Sequence, residues 1–309
     1  FLRCGVLAYG FARVWCRACG KDDVVAFSCE GRGFCPSCGA RRMADTAAWL
    51  VDRVIPEQAP VRQWVLSLPY RVRLLCAYDP KVCSAVRRVL VRAVSGYYER
   101  AARKKGKPRP RTGAVAFEQR FDSALRLNVH FHVQWLDGAY AWEPGRKVEW
   151  CGHDGVSDGD VARLVKVIRD RVLRCLRRMG KWSDDAGDGE AVDGGGQLLL
   201  ELGAAAVQGR TALGECRGEH DVRAGRGTRE EPFVSGPLCA DIDGFSLHAG
   251  SVVSGHDRGR LERLFRYAGR PAIAESRLSL LPDGRVRVIT VYIPLPPKWI
   301  NPETRRSEE

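Results

Sequence analysis

Two cysteine pairs near the start of the chain constrain its fold more than any other feature. Cys16-Arg-Ala-Cys19 and Cys35-Pro-Ser-Cys38 are CxxC knuckles with 15 residues between them. A CxxC turn sets two thiolates on one side of an ion, and a second knuckle supplies the opposite pair. Zinc takes four such soft ligands in a tetrahedron, and a gap of ~15–20 residues between knuckles is the zinc-ribbon pattern. The spacing therefore predicts a zinc ribbon over residues 1–45, with Cys16, Cys19, Cys35 and Cys38 as ligands of a structural zinc. Cys4 and Cys29 are left over, as buried thiols, replacement ligands or part of a second site. The other six of the 12 cysteines are scattered and read as core or incidental residues. No secretory apolar region precedes the knuckles. A secreted disulfide module would be short and loop-rich throughout, unlike this chain of 309 residues.

Charge adds a partner. The formal net charge is +13, and it is unevenly placed. Residues 1–130 carry 24 Lys and Arg against 10 Asp and Glu, whereas the remainder carries 26 against 27. A basic first part favours a polyanion, with nucleic acid the first expectation. Arg41 and Arg42 follow the second knuckle and suit phosphate contact. Residues 100–111 (RAARKKGKPRPR) hold seven basic residues and no acidic one, with Gly106, Pro108 and Pro110 forbidding a regular element. Lys104 and Lys105 there read as a phosphate-contacting arm or as a solvated loop. No apolar run approaches the ~20 residues of a membrane span, so no membrane partner is expected.

Periodicity places the elements. Met43, Ala47, Leu50, Val51 and Val54 predict a short helix stopped near Pro56, and Val61 to Leu68 predicts a strand. Pro80 opens a helix whose apolar face runs Val82, Val86, Val89, Leu90, Ala93, Val94 and Tyr97. Gly113 to Arg120 and Leu127 to Leu136 predict two strands able to pair antiparallel. Ser157 and Asp160 match a capping box ahead of a helix to about Met179, and Ser254 and Asp257 match a second one. Residues 183–197 read as a flexible acidic, glycine-rich linker, and residues 198–250 show no strong period. Pro282-Asp283-Gly284 predicts the turn of a hairpin between Leu278–Leu281 and Val286–Ile293, and residues 294–309 read as a disordered tail. The pattern is α+β, with a central antiparallel sheet flanked by helices over residues 46–293.

Two segments carry chemistry. In Leu127-Asn-Val-His130-Phe-His132-Val-Gln134-Trp-Leu136, strand alternation puts His130, His132 and Gln134 on one face. Val129, Phe131, Val133 and Trp135 take the other face, toward a core. Two imidazoles on a rigid strand can ligate one divalent ion and leave positions for substrate oxygens, or can be ordinary polar-face residues. Gln134 by face, or Gln119 on the neighbouring strand, could supply a third ligand. Farther on, Tyr267 stands near a helix end among Arg260, Arg263, Arg266 and Arg270. Such a tyrosine is either an aromatic stacked on guanidinium or a nucleophile whose phosphate target is drawn in by the arginines.

Ribbon, His-Phe-His strand and basic tyrosine helix, in that order, resemble the HUH transposases of rolling-circle insertion sequences, the IS91 family and its common-region relatives. The resemblance is carried by CRACG, GFCPSCGARRMADTAAWLVDRVIP, PVRQWVLSLPYRVR, LNVHFHVQWLDGAY, HDRGRLERLFRYAGRP and LSLLPDGRV. It implies a transposase that nicks and joins single-stranded or melted DNA at element ends. It implies Mg²⁺ or Mn²⁺ on His130 and His132, and a 5′-phosphotyrosine on Tyr267 that makes a nucleotide cofactor unnecessary. It also implies a bacterial cytoplasmic, nucleoid-associated location, with Arg266 and Arg270 on the DNA. Some members carry two tyrosines four residues apart. Position 263 here is Arg and position 271 is Pro, so only the single-tyrosine form fits. Family members usually continue beyond the PDGRV hairpin, which makes a truncated copy an expectation. The same residues leave two rivals, a rolling-circle replication initiator or relaxase, and a non-catalytic zinc-ribbon DNA-binding fragment.

Overall fold

Alternating side chains along one strand organise the larger part of this protein. The structure is a computed structural model that describes residues 4–28, 35–122, 126–182, 231–274, 277–283 and 285–289. The chain divides into two compact units. One comprises Phe1–Arg41, Phe121–Arg126 and Pro271–Glu309, and the other Arg42–Arg120 and Leu127–Arg270.

The first unit holds a hairpin of β1 (Phe11–Trp15) and β2 (Asp22–Ala26), paired antiparallel. It also holds the start of α1 (Pro36–Trp49). The predicted helix begins earlier than its apolar period, because Pro36 is preset for a first helical turn whose side chains serve the cysteine segment. A single π-turn, Leu50–Val54, continues it. The predicted hairpin near the C-terminus is present as β11 (Leu278–Leu280) and β12 (Val286–Val288), and it falls in this unit.

The second unit is built on a six-stranded sheet. Its strands are β3 (Val61–Ser67), β4 (Ala114–Phe121), β5 (Leu127–Leu136), β8 (Phe233–Gly236), β9 (Cys239–Ile242) and β10 (Phe245–Val253), in the order β4-β5-β3-β10-β9-β8. β3 pairs antiparallel with both β5 and β10. A small hairpin of β6 (Gly138–Ala141) and β7 (Glu149–Gly152) follows β5. Strands β8, β9 and β10 lie where the sequence shows no period. Two of them are only four residues long, and β10 carries a bulge between His248 and Ser251 that breaks its alternation.

Helices cover both faces of the sheet. On one face, α2 (Tyr70–Tyr78), α3 (Pro80–Lys104) and α4 (Asp158–Arg178) enclose the main core with Trp64, Leu66, Phe131 and Trp135. The sequence reading missed α2, whose nine residues bury only Val72 and Cys76. Asp79 caps α3 by accepting from the amides of Lys81 and Val82, and Pro80 sits at the first turn. The Ser157–Asp160 capping box on α4 is formed in both directions. On the opposite face, α5 (Arg258–Ala268) packs Leu261 and Phe265 against Val61, Val253, Leu50 and Val51. Its cap corrects the sequence reading. Asp257 is the N-cap, accepting from the Arg260 amide at 3.0 Å, while Ser254 only receives the His256 amide at 3.4 Å. The shorter path from Asp257 puts its carboxylate directly over the orphan amides of the first turn.

A buried ion pair ties β3 to the end of β5. Arg62 donates to both carboxylate oxygens of Asp137 at 2.9 and 2.8 Å, and to the Ala249 carbonyl at 2.9 Å. The Tyr98 hydroxyl donates to Asp137 at 2.8 Å and accepts from the Trp64 indole at 3.1 Å. Desolvation is thereby offset by a nearly complete set of hydrogen bonds. The predicted linker at 183–197 and tail at 294–309 lie outside the described residues.

Candidate active site and cysteine centre

β5 sends Val129, Phe131, Val133 and Trp135 into the main core, so His130, His132 and Gln134 must face the other way. That face is where α5 packs. The imidazoles of His130 and His132 lie 5.0 Å apart, and the Tyr267 ring stands edge-on 5.5 Å from His132. His132 is nearly buried at 4% exposure, whereas Tyr267 is 48% exposed on the flank of α5. The tyrosine therefore borders both the histidines and solvent.

Hydrogen bonds fix which ring nitrogens face outward. Nδ1 of His130 lies 2.6 Å from the carbonyl of Asn128, which can only accept, so this nitrogen carries the proton. Nδ1 of His132 lies 3.4 Å from Oε1 of Gln63, which also accepts from the Gln134 amide at 2.8 Å. Both rings then keep Nε2 as a lone-pair donor, the arrangement that outer partners impose on metal-binding imidazoles. Burial, and then the charges of His130 and Arg270, push the His132 pKa down to about 3. Its imidazole is neutral at any ordinary pH.

Gln63 is the residue that sequence reasoning missed. It lies directly opposite Gln134 in the β3–β5 register, and only that long-range pairing brings it to the histidines. Gln134 is buried behind them, and its Oε1 has no hydrogen-bond partner. Gln119, on β4, acts elsewhere. Its amide nitrogen donates to the carbonyls of Tyr267 and Ala268 at 3.3 and 2.9 Å, clamping the C-terminal turn of α5. Arg270 places its guanidinium 4.8 Å over the Tyr267 ring, and Arg266 is exposed and paired to Glu262. Arg41, Arg42 and Lys104 are exposed, while Lys105 is bonded to Asp154 and to the Gly152 carbonyl.

In the first unit, the sulfurs of Cys4, Cys35 and Cys38 lie within 4.8 Å of one another, with Cys4 and Cys38 3.3 Å apart. Zn–S bonds of ~2.3 Å in a tetrahedron require sulfurs roughly 3.8 Å apart, so this donor set suits a zinc ion. Cys16 and Cys19 are not in that group. They are exposed at the β1–β2 turn, where hydrogen bonds from the Cys19 amide and thiol lower the Cys16 pKa. Cys29 lies outside the described residues. Among the described residues, no other group of three His, Cys, Asp or Glu converges in this way, so no carboxylate joins His130 and His132.

Family models match two parts of the chain. The IS91 model described as "Transposase zinc-binding domain" matches residues 1–68. The model described as "Putative transposase" matches residues 113–290, more than half the chain, including both histidines and Tyr267. The chain belongs to this transposase family. No curated protein and no solved structure matches it. Membership makes DNA the substrate class and the cysteine segment a zinc-binding domain. Among the described residues, no helix of this transposase is long and apolar enough to cross a membrane.

Proposed function

We propose that this transposase cuts and rejoins single-stranded DNA through Tyr267, at a divalent-metal site on His130 and His132, in the manner of HUH enzymes of rolling-circle elements. The observation that carries the reading is the 5.5 Å approach of the half-exposed Tyr267 ring to His132, beside a second imidazole. A nucleophile and two ligand nitrogens then border one open edge, the geometry a phosphodiester needs between them.

The residues divide the work. Tyr267 attacks the phosphorus through its hydroxyl oxygen; the bond from phosphorus to the 3′-oxygen breaks, and the phenolic proton is balanced by one gained at the 3′-hydroxyl. The product is a 5′-phosphotyrosine, which conserves the ester bond for rejoining without a nucleotide cofactor. Mg²⁺ or Mn²⁺ bound to the two Nε2 atoms would supply Lewis-acid withdrawal of charge from a non-bridging oxygen. Gln63 holds the His132 ring in the ligating tautomer. Arg270 fixes a positive charge against the Tyr267 ring, where an anionic phosphate must approach. Gln119 holds the helix end from which Tyr267 projects.

In the cysteine segment, Cys4, Cys35 and Cys38 supply three thiolates to the structural zinc. Cys16 and Cys19 form a separate knuckle. Arg41, Arg42, Lys104 and Arg266 add exposed positive charge for the phosphate backbone.

The decisive experiment incubates the full chain with a labelled single-stranded oligonucleotide containing an element end, with Mg²⁺ or Mn²⁺, and resolves denatured protein on a gel. A covalent adduct is expected that Tyr267→Phe abolishes while DNA binding survives. An adduct retained in Tyr267→Phe would overturn the nucleophile assignment.

A further inference from the structure

A basic and aromatic surface lies at the far end of the same sheet unit. Arg103 lies in the last turn of α3, Arg109 and Arg111 follow the helix, and Trp142 follows β6. Together with Pro110 they line an open pocket of about 470 Å³, within the range of small-ligand sites. No acidic side chain lines it. Trp142 is 46% exposed, and the Arg109 guanidinium sits 5.4 Å over its ring.

This arrangement is held by the backbone rather than left to chance. Arg111 and Tyr140 exchange both backbone hydrogen bonds, at 2.8 and 2.7 Å, and the Trp142 amide donates to the Pro108 carbonyl at 3.2 Å. Arg109 adopts φ 41°, in the left-handed region that non-glycine residues rarely enter. Two of the three lysines of the basic segment are meanwhile committed to protein partners, Lys105 to Asp154 and Lys107 to Glu149. The arginines gather instead around Glu99 and Trp142. Arg111 is paired to Glu99 at 3.6 Å yet remains 81% exposed, and Arg103 shares the same carboxylate. One acid thus offsets two of three guanidiniums, leaving the pocket positive.

An exposed indole beside arginines recognises a flat base joined to a phosphate. Duplex DNA hides its base faces in the stack, so the ligand this chemistry fits is an unpaired strand. We propose that Trp142, with Arg103, Arg109 and Arg111, forms a stacking platform for single-stranded DNA, separate from the histidine–tyrosine site. Leu136 lies four positions beyond His132 on β5, about 13 Å at 3.3 Å per residue, and the platform lies beyond that end. It would hold the strand away from the scissile phosphate. The proposal rests on the reading that the chain acts on single-stranded DNA, and its test separates the two.

The test measures fluorescence anisotropy of a labelled oligo(dT) and of a matched duplex, using the full chain with Tyr267→Phe to prevent attachment. Trp142→Ala is expected to weaken oligo(dT) binding about 5- to 100-fold, the range that loss of one stacked base gives, with duplex binding changed less than about twofold. Trp142→Phe should restore most of the affinity, which a folding defect would not, and Arg109→Ala should weaken it in its turn. Unchanged oligo(dT) binding in Trp142→Ala, or an equal loss on duplex, overturns the platform. The adduct assay on the chain with Tyr267 intact reports independently. An adduct with no effect of Trp142→Ala would leave the nuclease reading standing without the platform, and the converse would leave the platform standing without the nuclease.

Discussion

The cysteine segment and the histidine strand both present metal-type ligands at short sequence spacing, yet spacing means different things in the two. On β5, period-two alternation decides everything local. Once Phe131 and Trp135 enter the core, His130 and His132 must share the opposite face, and no other part of the chain can change that. In the cysteine segment, each knuckle is local but the union of knuckles is not. Cys35 and Cys38 gather with Cys4, while Cys16 and Cys19 turn to each other at the tip of a hairpin. Backbone period thus fixes a ligand face, whereas loop closure selects which loops meet.

The comparison can be broken at the histidines first. His132→Ala is expected to lower the rate of covalent attachment on the order of 10²- to 10³-fold, as loss of a charge-stabilising group does, with oligonucleotide binding retained. An unchanged single-turnover rate would make the two imidazoles mere packing residues of a strand. The cysteines can be broken next. Cys4→Ser should reduce the zinc content of the purified chain, measured by atomic emission, whereas Cys16→Ser should leave more zinc in place. The reverse ranking would restore the two-knuckle ribbon read from the sequence.

Outer residues sharpen the same contrast at smaller amplitude. Gln63→Leu removes the acceptor that orients His132, and should weaken metal activation of attachment about 10- to 100-fold, read as a shift in the Mn²⁺ concentration required. A change in rate at saturating metal with no shift would show that Gln63 does not act through His132.

The smallest effects concern helix caps. Ser157→Ala should cost about 1 kcal/mol in denaturant unfolding, and Ser254→Ala much less, because only Ser157 caps a helix. Burial raises the pKa of Asp160, but hydrogen bonds from Ser157 and Arg163 outweigh it and hold the carboxyl below its ordinary value. Its stabilising contribution is therefore present above the unfolded value near 3.9 and is lost as pH falls through the lower folded value. Acid titration of Ser157→Ala should show a shallower loss over that window.

What the sequence disclosed follows the same division. Strand β5, the long helices α3 and α4 and the Pro282-Asp283-Gly284 hairpin were readable, because each is governed by local period or turn chemistry. The sheet order was not, since β10 pairs with β3 across almost the whole unit and carries a bulge that hides its alternation. At the candidate site, His130, His132 and Tyr267 stood out as residue types. Gln63 did not, because a glutamine on a strand has no signature until its partner strand is known. Gln119 has the residue type of a ligand, but its amide nitrogen instead bonds the carbonyls at the end of α5.

The buried pair of Arg62 and Asp137 bears on this directly. A strand that slides by one position against its neighbour keeps its ladder of backbone bonds but exchanges its faces. For β5 that slip would thrust both imidazoles into the hydrocarbon interior and turn Phe131 and Trp135 toward Tyr267. Arg62 can reach both oxygens of Asp137, the Tyr98 hydroxyl's acceptor, in one alignment only, and any other strands a bare charge away from water. The ion pair therefore works as a ratchet pawl, making the alignment that would bury His130 and His132 in the core the electrostatically intolerable one.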